Sequence, residues 1–163
     1  MTRDPIAEAH RQWEAHGWTG AADGMAMVTS VVRAQQLLLE RIDAVLRPRG
    51  LTFARYEVLR LLSFSRDTAM PMSRLGSLLQ VHPTSVTSAV DRLVAQDFVR
   101  RERDDADKRV VRAVLTEAGR VAVEEATAAL NADVFEQPGL PATDVRALTA
   151  SLTDLRRGLG DAT

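Results

Sequence analysis

Apolar residues recur every three or four positions along most of this chain, the spacing of helices that bury one face, and give way to alternation over one short stretch. In residues 71–80, PMSRLGSLLQ, Leu75, Leu78 and Leu79 fall on one helical stripe. A turn at Val81 and His82 leads to Pro83, whose missing amide proton and fixed φ suit a first helical position, and then to TSVTSAVDRLVAQ. In that second helix Val86, Val90, Leu93 and Val94 make the inward stripe, and Thr84, Ser85, Thr87, Ser88, Asp91 and Arg92 are left to point outward. The period then drops to two. FVRRERDDADKRVVRAVL gives strand-like runs over 98–103 and 109–115 around a charged tip at Asp104, Asp105, Ala106, Asp107 and Lys108. The pattern predicts a helix-turn-helix followed at once by a β-hairpin.

The flanks read as helices. Asp4 and Pro5 form a cap and a first-turn proline, after which Ile6, Ala9 and Trp13 share one face of a short helix. A glycine-rich loop is expected next, then a long helix over 23–46 carrying Val28, Val31, Val32, Leu38, Leu39, Ile42 and Leu46 at helical period, stopped by Arg47-Pro48-Arg49-Gly50. Another helix is predicted over 53–64. Thr116 can cap a helix running from Glu117 to about Phe135, where Gln137-Pro138-Gly139-Leu140-Pro141 breaks it. In the last helix Val145, Leu148, Leu152, Leu155 and Leu159 alternate steps of three and four, a seam that needs a partner helix. That partner is either a helix of the same chain or one of a second chain. The fold class is therefore mainly α with a small β-hairpin: N-terminal helices over 1–50, a winged lobe over 51–116 and C-terminal helices over 117–163, one compact domain in all.

Composition narrows the chemistry. At 163 residues, 45% hydrophobic and 26% charged, the chain can bury a core. Its formal net charge of −1 is unusual for a nucleic-acid binder, but phosphate neutralisation is local, and a basic hairpin on a neutral protein suffices for salt-dependent binding. Short hydroxyl side chains at a helix start let the backbone approach a major-groove floor and meet base edges. Lys108 and Arg109 at a hairpin tip suit the negative potential of a minor groove, and Arg100, Arg101, Arg103 and Arg112 suit backbone phosphate. With no cysteine, disulfides, thiolate metal sites and thiol redox sensing are excluded. No apolar run approaches the roughly 20 residues of a membrane span, and there is no basic start followed by an apolar core, so a cytoplasmic location is expected.

The string Asp104-Asp105-Ala106-Asp107-Lys108-Arg109, running through Val111 and Val114 into Leu115-Thr116-Glu117-Ala118-Gly119, resembles the wing signature of the MarR family of winged helix-turn-helix transcriptional regulators. The resemblance extends over residues 25–159. It implies a homodimer built from both terminal regions, reading an inverted repeat in double-stranded DNA, with a recognition helix in the major groove and a basic wing tip in the minor groove. Carried over by position, the DNA-binding residues are Thr84, Ser85, Thr87, Ser88, Arg92, Arg103, Lys108 and Arg109. The resemblance also implies an ion pair between an acidic residue late in the recognition helix and the second wing arginine, here Asp91 with Arg109, and makes Asp91 and Asp107 the wing-orienting residues. It further implies repression relieved by a small anionic or phenolic ligand. The N-terminal helix with Trp13 is similar to the urate-responsive branch of the family. That branch has a Trp-Asp pair early in the second long helix where this chain has Tyr56-Glu57, and an arginine a turn or two later where the segment around Ser63-Phe64 is apolar. Trp13, Tyr56 and Glu57 are thus candidate ligand-binding residues, with Arg55 as an anion partner. Read by packing alone, Trp13 is an anchor for its helix.

The remaining polar groups carry simpler expectations. His82 reads as a cap or phosphate neighbour. His10 and His16 are too far out of phase on a helix to join Glu14 or Asp23 at a metal, so no metal is expected. Arg47, Arg49, Arg156 and Arg157 are cations near helix ends, and Met25, Met27, Met70 and Met72 core fillers. No Gly-rich phosphate loop, HExxH or GxSxG is present, so neither a catalytic residue nor a cofactor is expected. The rival to a DNA-binding regulator is a winged helix used for protein contact.

Overall fold

Seven helices and three short strands follow one another in the computed structural model, which describes residues 4–79 and 83–161. The turn at Val81 and His82 lies outside the described residues. The chain divides into two units, Met1–Phe53 and Ala54–Thr163.

In the first unit α1 (Pro5–Ala15) is capped by Asp4, whose carboxylate accepts from the Ile6 amide at 3.0 Å. The expected glycine-rich loop is only a three-residue break: α2 (Thr19–Leu46) begins at once after it and takes Gly20 and Gly24 into its first turns. His10 ties the two helices, its Nε2 2.9 Å from Asp23 and its Nδ1 3.5 Å from Glu14, while Trp13 meets Trp18 edge to face at 5.4 Å. A 3-10 turn (Arg47–Arg49) ends α2. Gly50 there adopts a left-handed φ of 68°, and the Leu51 amide reaches back to Leu46 O, the bonding that closes a helix C-terminus. Arg49 donates to the Val45 carbonyl at 2.6 Å, a cation on a helix end. Only Ala22, Ile42 and Leu46 of α2 are buried, and Val28, Val31, Val32, Leu38 and Leu39 are left uncovered.

The second unit holds most of the buried side chains. Helix α3 (Phe53–Phe64) buries Tyr56, Val58, Leu59 and Leu62. The chain then forms a strand that alternation did not reveal, β1 (Ala69–Pro71), before α4 (Met72–Leu79) and α5 (Pro83–Ala95). The hairpin β2 (Val99–Arg103) and β3 (Val111–Leu115) completes an antiparallel sheet of order β1-β3-β2, with Met70 opposite Ala113 and Arg101 opposite Ala113 on the other side. Pro71 therefore ends an edge strand and does not start a helix, a position where its missing donor is tolerated. Leu75, Val86, Val90 and Leu93 are buried as expected. Leu78 and Val94 are not, being 49% and 38% exposed at the rims of their helices. Of the four methionines read as core, Met70 is buried and Met27 is exposed.

Helix α6 (Glu117–Leu130) widens into one π-helical turn (Asn131–Phe135) and is followed by α7 (Ala142–Gly158). Thr116 caps α6, its hydroxyl accepting from the Gly119 amide at 3.0 Å and donating to Asp97 O at 2.6 Å. None of α7 is buried.

Candidate nucleic-acid interface

Helix α5 has two chemically distinct faces. Val86, Val90 and Leu93 hold it to the core, and Thr84, Ser85, Thr87, Ser88, Asp91 and Arg92 are all exposed. Its C-terminus is closed by a left-handed residue, Asp97 at φ 61°, with the Asp97 amide bonded to Val94 O at 3.0 Å and the Phe98 amide to Leu93 O at 2.9 Å. This is the Schellman arrangement, here with aspartate where glycine is usual. It turns the chain directly into β2, so the hairpin grows from the end of the helix that carries the hydroxyls.

The hairpin tip is organised by its aspartates. Asp104 accepts from the amides of Ala106 at 2.9 Å and Asp107 at 3.2 Å, and these two bonds hold its carboxyl below the usual range, with Arg112 and Lys108 nearby adding to the effect. Arg112 stands between Asp104 at 3.7 Å and Asp67 at 3.9 Å. Asp107 accepts from the Arg109 amide at 3.0 Å, and its carbonyl accepts from Val110. Sequence reading singled out Asp107 and passed over Asp104, although an aspartate two and three residues before the amides it caps is a recognisable turn signal.

Both tip cations are paired within the tip. Lys108 Nζ is 3.0 Å from Asp105 and Arg109 Nε 4.0 Å from Asp107, with Arg109 96% exposed. Exposed pairs of this kind contribute about 0–1 kcal/mol, so they exchange readily for an outside anion. Arg92 and Arg103 are exposed and form no ion pair among the described residues. One expectation is corrected here. Asp91 does not pair with Arg109: its Oδ1 receives a hydrogen bond from Arg101 Nη1 at 2.5 Å, because Arg101 sits on the strand near the helix and Arg109 stands at the far tip. Arg100, on the opposite face of β2, pairs with Glu102.

The ligand-pocket candidates fall in both units. Trp13 belongs to the first, half-buried and in contact with Trp18. In the second, Arg55 donates to Gln96 at 3.1 Å, and Tyr56 is buried with its hydroxyl 3.0 Å from Thr127. Partial burial raises the Glu57 carboxyl above the ordinary value. Sequence reading found no arginine near this part of α3, but Arg60 is there. It donates to Glu124 and Ser63 at 3.2 Å, to Val123 O at 3.1 Å and to the Thr127 hydroxyl, and it lies 5.1 Å over the Phe64 ring. Since Thr127 Oγ1 donates to Val123 O, it accepts from both Tyr56 and Arg60, which ties α3 to α6. The signal was present as an Arg-Phe pair four residues apart on one helix face.

Among the described residues no cluster of histidine and acidic side chains has metal-binding geometry, and no helix is long and apolar enough to cross a membrane.

A family model described as the MarR family matches residues 49–110. The chain is 45% identical to Sco5413, a MarR family transcriptional regulator from Streptomyces coelicolor, covering 85% of this chain and 96% of that one with a TM-score of 0.77. It is 25% identical to Sco3205, a MarR family regulator of the same organism solved in complex with DNA, covering 85% and 89% with a TM-score of 0.75. It is also 28% identical over 136 residues to the uncharacterized HTH-type transcriptional regulator YhbI of Bacillus subtilis (strain 168), covering 81% of this chain and 85% of that protein.

Proposed function

The chain belongs to the MarR family, and on that premise we propose that it is a DNA-binding transcriptional regulator, a ligand-responsive repressor that occupies an inverted-repeat operator as a homodimer. The observation that carries the reading is the continuity of α5 and the hairpin: one exposed face of hydroxyls and Arg92, and, past the Asp97 turn, a tip presenting Lys108 and Arg109. In this reading Thr84, Ser85, Thr87 and Ser88 meet base edges in the major groove, Arg92 and Arg103 meet phosphate, and the tip cations enter the minor groove. Sco3205, similar along most of its length, was solved with DNA.

Two features support the homodimer. The C-terminal seam leaves Leu148 and Leu152 of α7 and the capping Leu159 uncovered, and the middle of α2 leaves residues 28–39 uncovered. Two-fold dimers place recognition helices about 34 Å apart, one turn of duplex, which matches a palindromic site. Repression follows by occlusion of polymerase. A small anionic or phenolic effector would act by binding more tightly to a dimer whose helices are mis-spaced for successive grooves, and the loss of DNA affinity equals its differential affinity for the two states.

Fluorescence anisotropy on duplex from upstream of the protein's own gene, against scrambled duplex at two salt concentrations, tests this. Selective binding that weakens with salt supports the regulator. Equal weak binding to both, followed by failure of a random-library selection to enrich any sequence, defeats it in favour of a protein-contact role.

A further inference from the structure

We infer that α5 reads thymine through the methyl group of Thr87 and not through its hydroxyl, which makes Thr87 a specificity-determining residue. The inference rests on the DNA-binding reading above and names the base chemistry that reading leaves open.

The outer face of α5 is poor in groups that tell bases apart by hydrogen bonds. Asparagine and glutamine select adenine, and arginine selects guanine, because each offers two polar groups at once to one base edge. The exposed side chains from Thr84 to Arg92 are Thr84, Ser85, Thr87, Ser88, Asp91 and Arg92, and Arg92 alone among them has that reach. Asp91 is the one carboxylate, the group that accepts from cytosine, and it is already engaged by Arg101 at 2.5 Å. The rest of the face offers short hydroxyls, which both donate and accept and so discriminate little.

The other helical threonines show where such a hydroxyl goes. Thr29 donates to Met25 O at 2.8 Å, Thr127 to Val123 O at 2.7 Å, Thr149 to Val145 O at 2.7 Å and Thr153 to Thr149 O at 2.9 Å. Thr87 apart, these are the described threonines that lie beyond the first turn of a helix, and each hydroxyl turns back onto the carbonyl four residues earlier. The cause is local: branching at Cβ leaves few rotamers on a helix, and in them the hydroxyl reaches its own backbone. Thr87 is the fifth residue of α5, so the carbonyl four residues earlier is that of Pro83 in the same helix. Thr87 too has an internal partner. With the hydroxyl turned along the helix, Cγ2 is the group this exposed residue presents outward. Thr84, the second residue of α5, has no helical carbonyl four residues before it and is under no such constraint.

A methyl group is a reader in its own right. Of the four bases thymine alone carries a C5 methyl on the major-groove floor, and apolar contact with a threonine methyl recognises it. Such contact is non-directional and gains by removing both groups from water, so it needs no hydrogen-bond geometry.

The rival role is a hydroxyl that bonds a base edge, and the two separate by substitution on both sides of the contact. A duplex is first selected from a random library by the wild type. Each of its thymines is then replaced in turn by deoxyuridine, which keeps the polar groups of the base and removes only the methyl. Affinities of wild type, Thr87→Val and Thr87→Ser are measured on every duplex, with thermal unfolding to check that these exposed substitutions leave the fold intact. At one thymine of the half-site, uracil should weaken wild-type binding about fourfold, the worth of one buried methyl. Thr87→Val should bind and discriminate as the wild type does. Thr87→Ser should bind the thymine duplex about fourfold more weakly and no longer distinguish it from uracil at that position. A wild type indifferent to uracil everywhere, a Thr87→Val that loses affinity while Thr87→Ser keeps it, or a Thr87→Ser that still discriminates at every such thymine would each overturn the inference and leave the regulator reading standing. Failure of the wild type to select any sequence removes both.

Discussion

A methyl group on Gly119 would lie 2.1 Å from the carbonyl oxygen of Phe98, well inside contact distance and against backbone that cannot swing away. The first turn of α6 is thus pressed onto the turn that ends the recognition helix, and Thr116 bonds to the same turn through its hydroxyl to Asp97 O and its amide to Phe98 O. Glycine inside a helix is normally a loss of about 0.5–1 kcal/mol against alanine. Here the sign reverses. Gly119→Ala is expected to destabilise the protein by about 1–3 kcal/mol, the usual range for overpacking, measured by urea unfolding. A variant as stable as wild type would mean that α6 and the 97–98 turn are not locked together.

Asp104 makes the hairpin tip sensitive to acid. Its carboxyl is held below the ordinary value chiefly by the bonds it accepts from the amides of Asp107 and Ala106. A depressed carboxyl contributes its full stabilisation above the unfolded value of about 3.9 and loses it as pH falls through the lower folded value. The amide resonances of Ala106 and Asp107 should titrate with a midpoint under 3.9, and Asp104→Ala should remove that transition while leaving global unfolding near wild type. A midpoint at or above 3.9 would show that the turn is not built on this carboxylate.

Much of this architecture is written locally. Pro83 at a helix start, Thr116 as a cap and the acidic-basic tip each declare themselves within a few residues, and α3, α5 and the hairpin lie where periodicity puts them. What escaped depends on distant partners. β1 is three residues long, too short for alternation, and exists because Met70 pairs with Ala113 over forty residues away. Gly20 falls in the expected loop but sits in α2, where the following apolar stripe overrides its weak propensity. The partner of Asp91 was illegible for a sharper reason. Phe98 and Val99 are adjacent and both apolar, so the parity of the strand, and hence whether Arg100 or Arg101 faces the helix, could not be read.

Glu57 should destabilise the protein when ionised. Its carboxyl is raised by partial burial alone, so the folded state favours the protonated form. An acid of raised folded value costs nothing below its unfolded value and imposes its full cost once pH passes the folded one. Glu57→Gln is expected to raise the melting temperature at pH 7 and to leave it unchanged near pH 3. An equal rise at both would trace the effect to packing and not to charge.

Arg109 tests the wing directly. Its guanidinium is almost fully exposed, so Arg109→Ala leaves folding intact and removes one cation from the tip. Operator affinity should fall by about 1–3 kcal/mol, and the slope of log affinity against log salt should lessen by about one if the contact is to phosphate. Equal affinity at every salt concentration would remove the tip from the interface.

The C-terminal seam tests the assembly. Leu148 and Leu152 of α7 and Leu159, which caps its end, continue one stripe at 48%, 37% and 78% exposure, and full burial of a leucine side chain stabilises by about 1.5–3 kcal/mol. A carboxylate placed in such a seam forfeits that gain and must be desolvated without a partner. Leu148→Glu with Leu152→Glu should therefore shift the protein from dimer to monomer in light scattering at micromolar concentration. Operator binding should fall with it, because a monomer engages only one half-site. The fold of each chain should persist, since these side chains are not part of its core, and far-UV circular dichroism checks that. A variant that stays dimeric would move the interface elsewhere, and a wild type already monomeric would remove the two-fold dimer from the proposed mechanism.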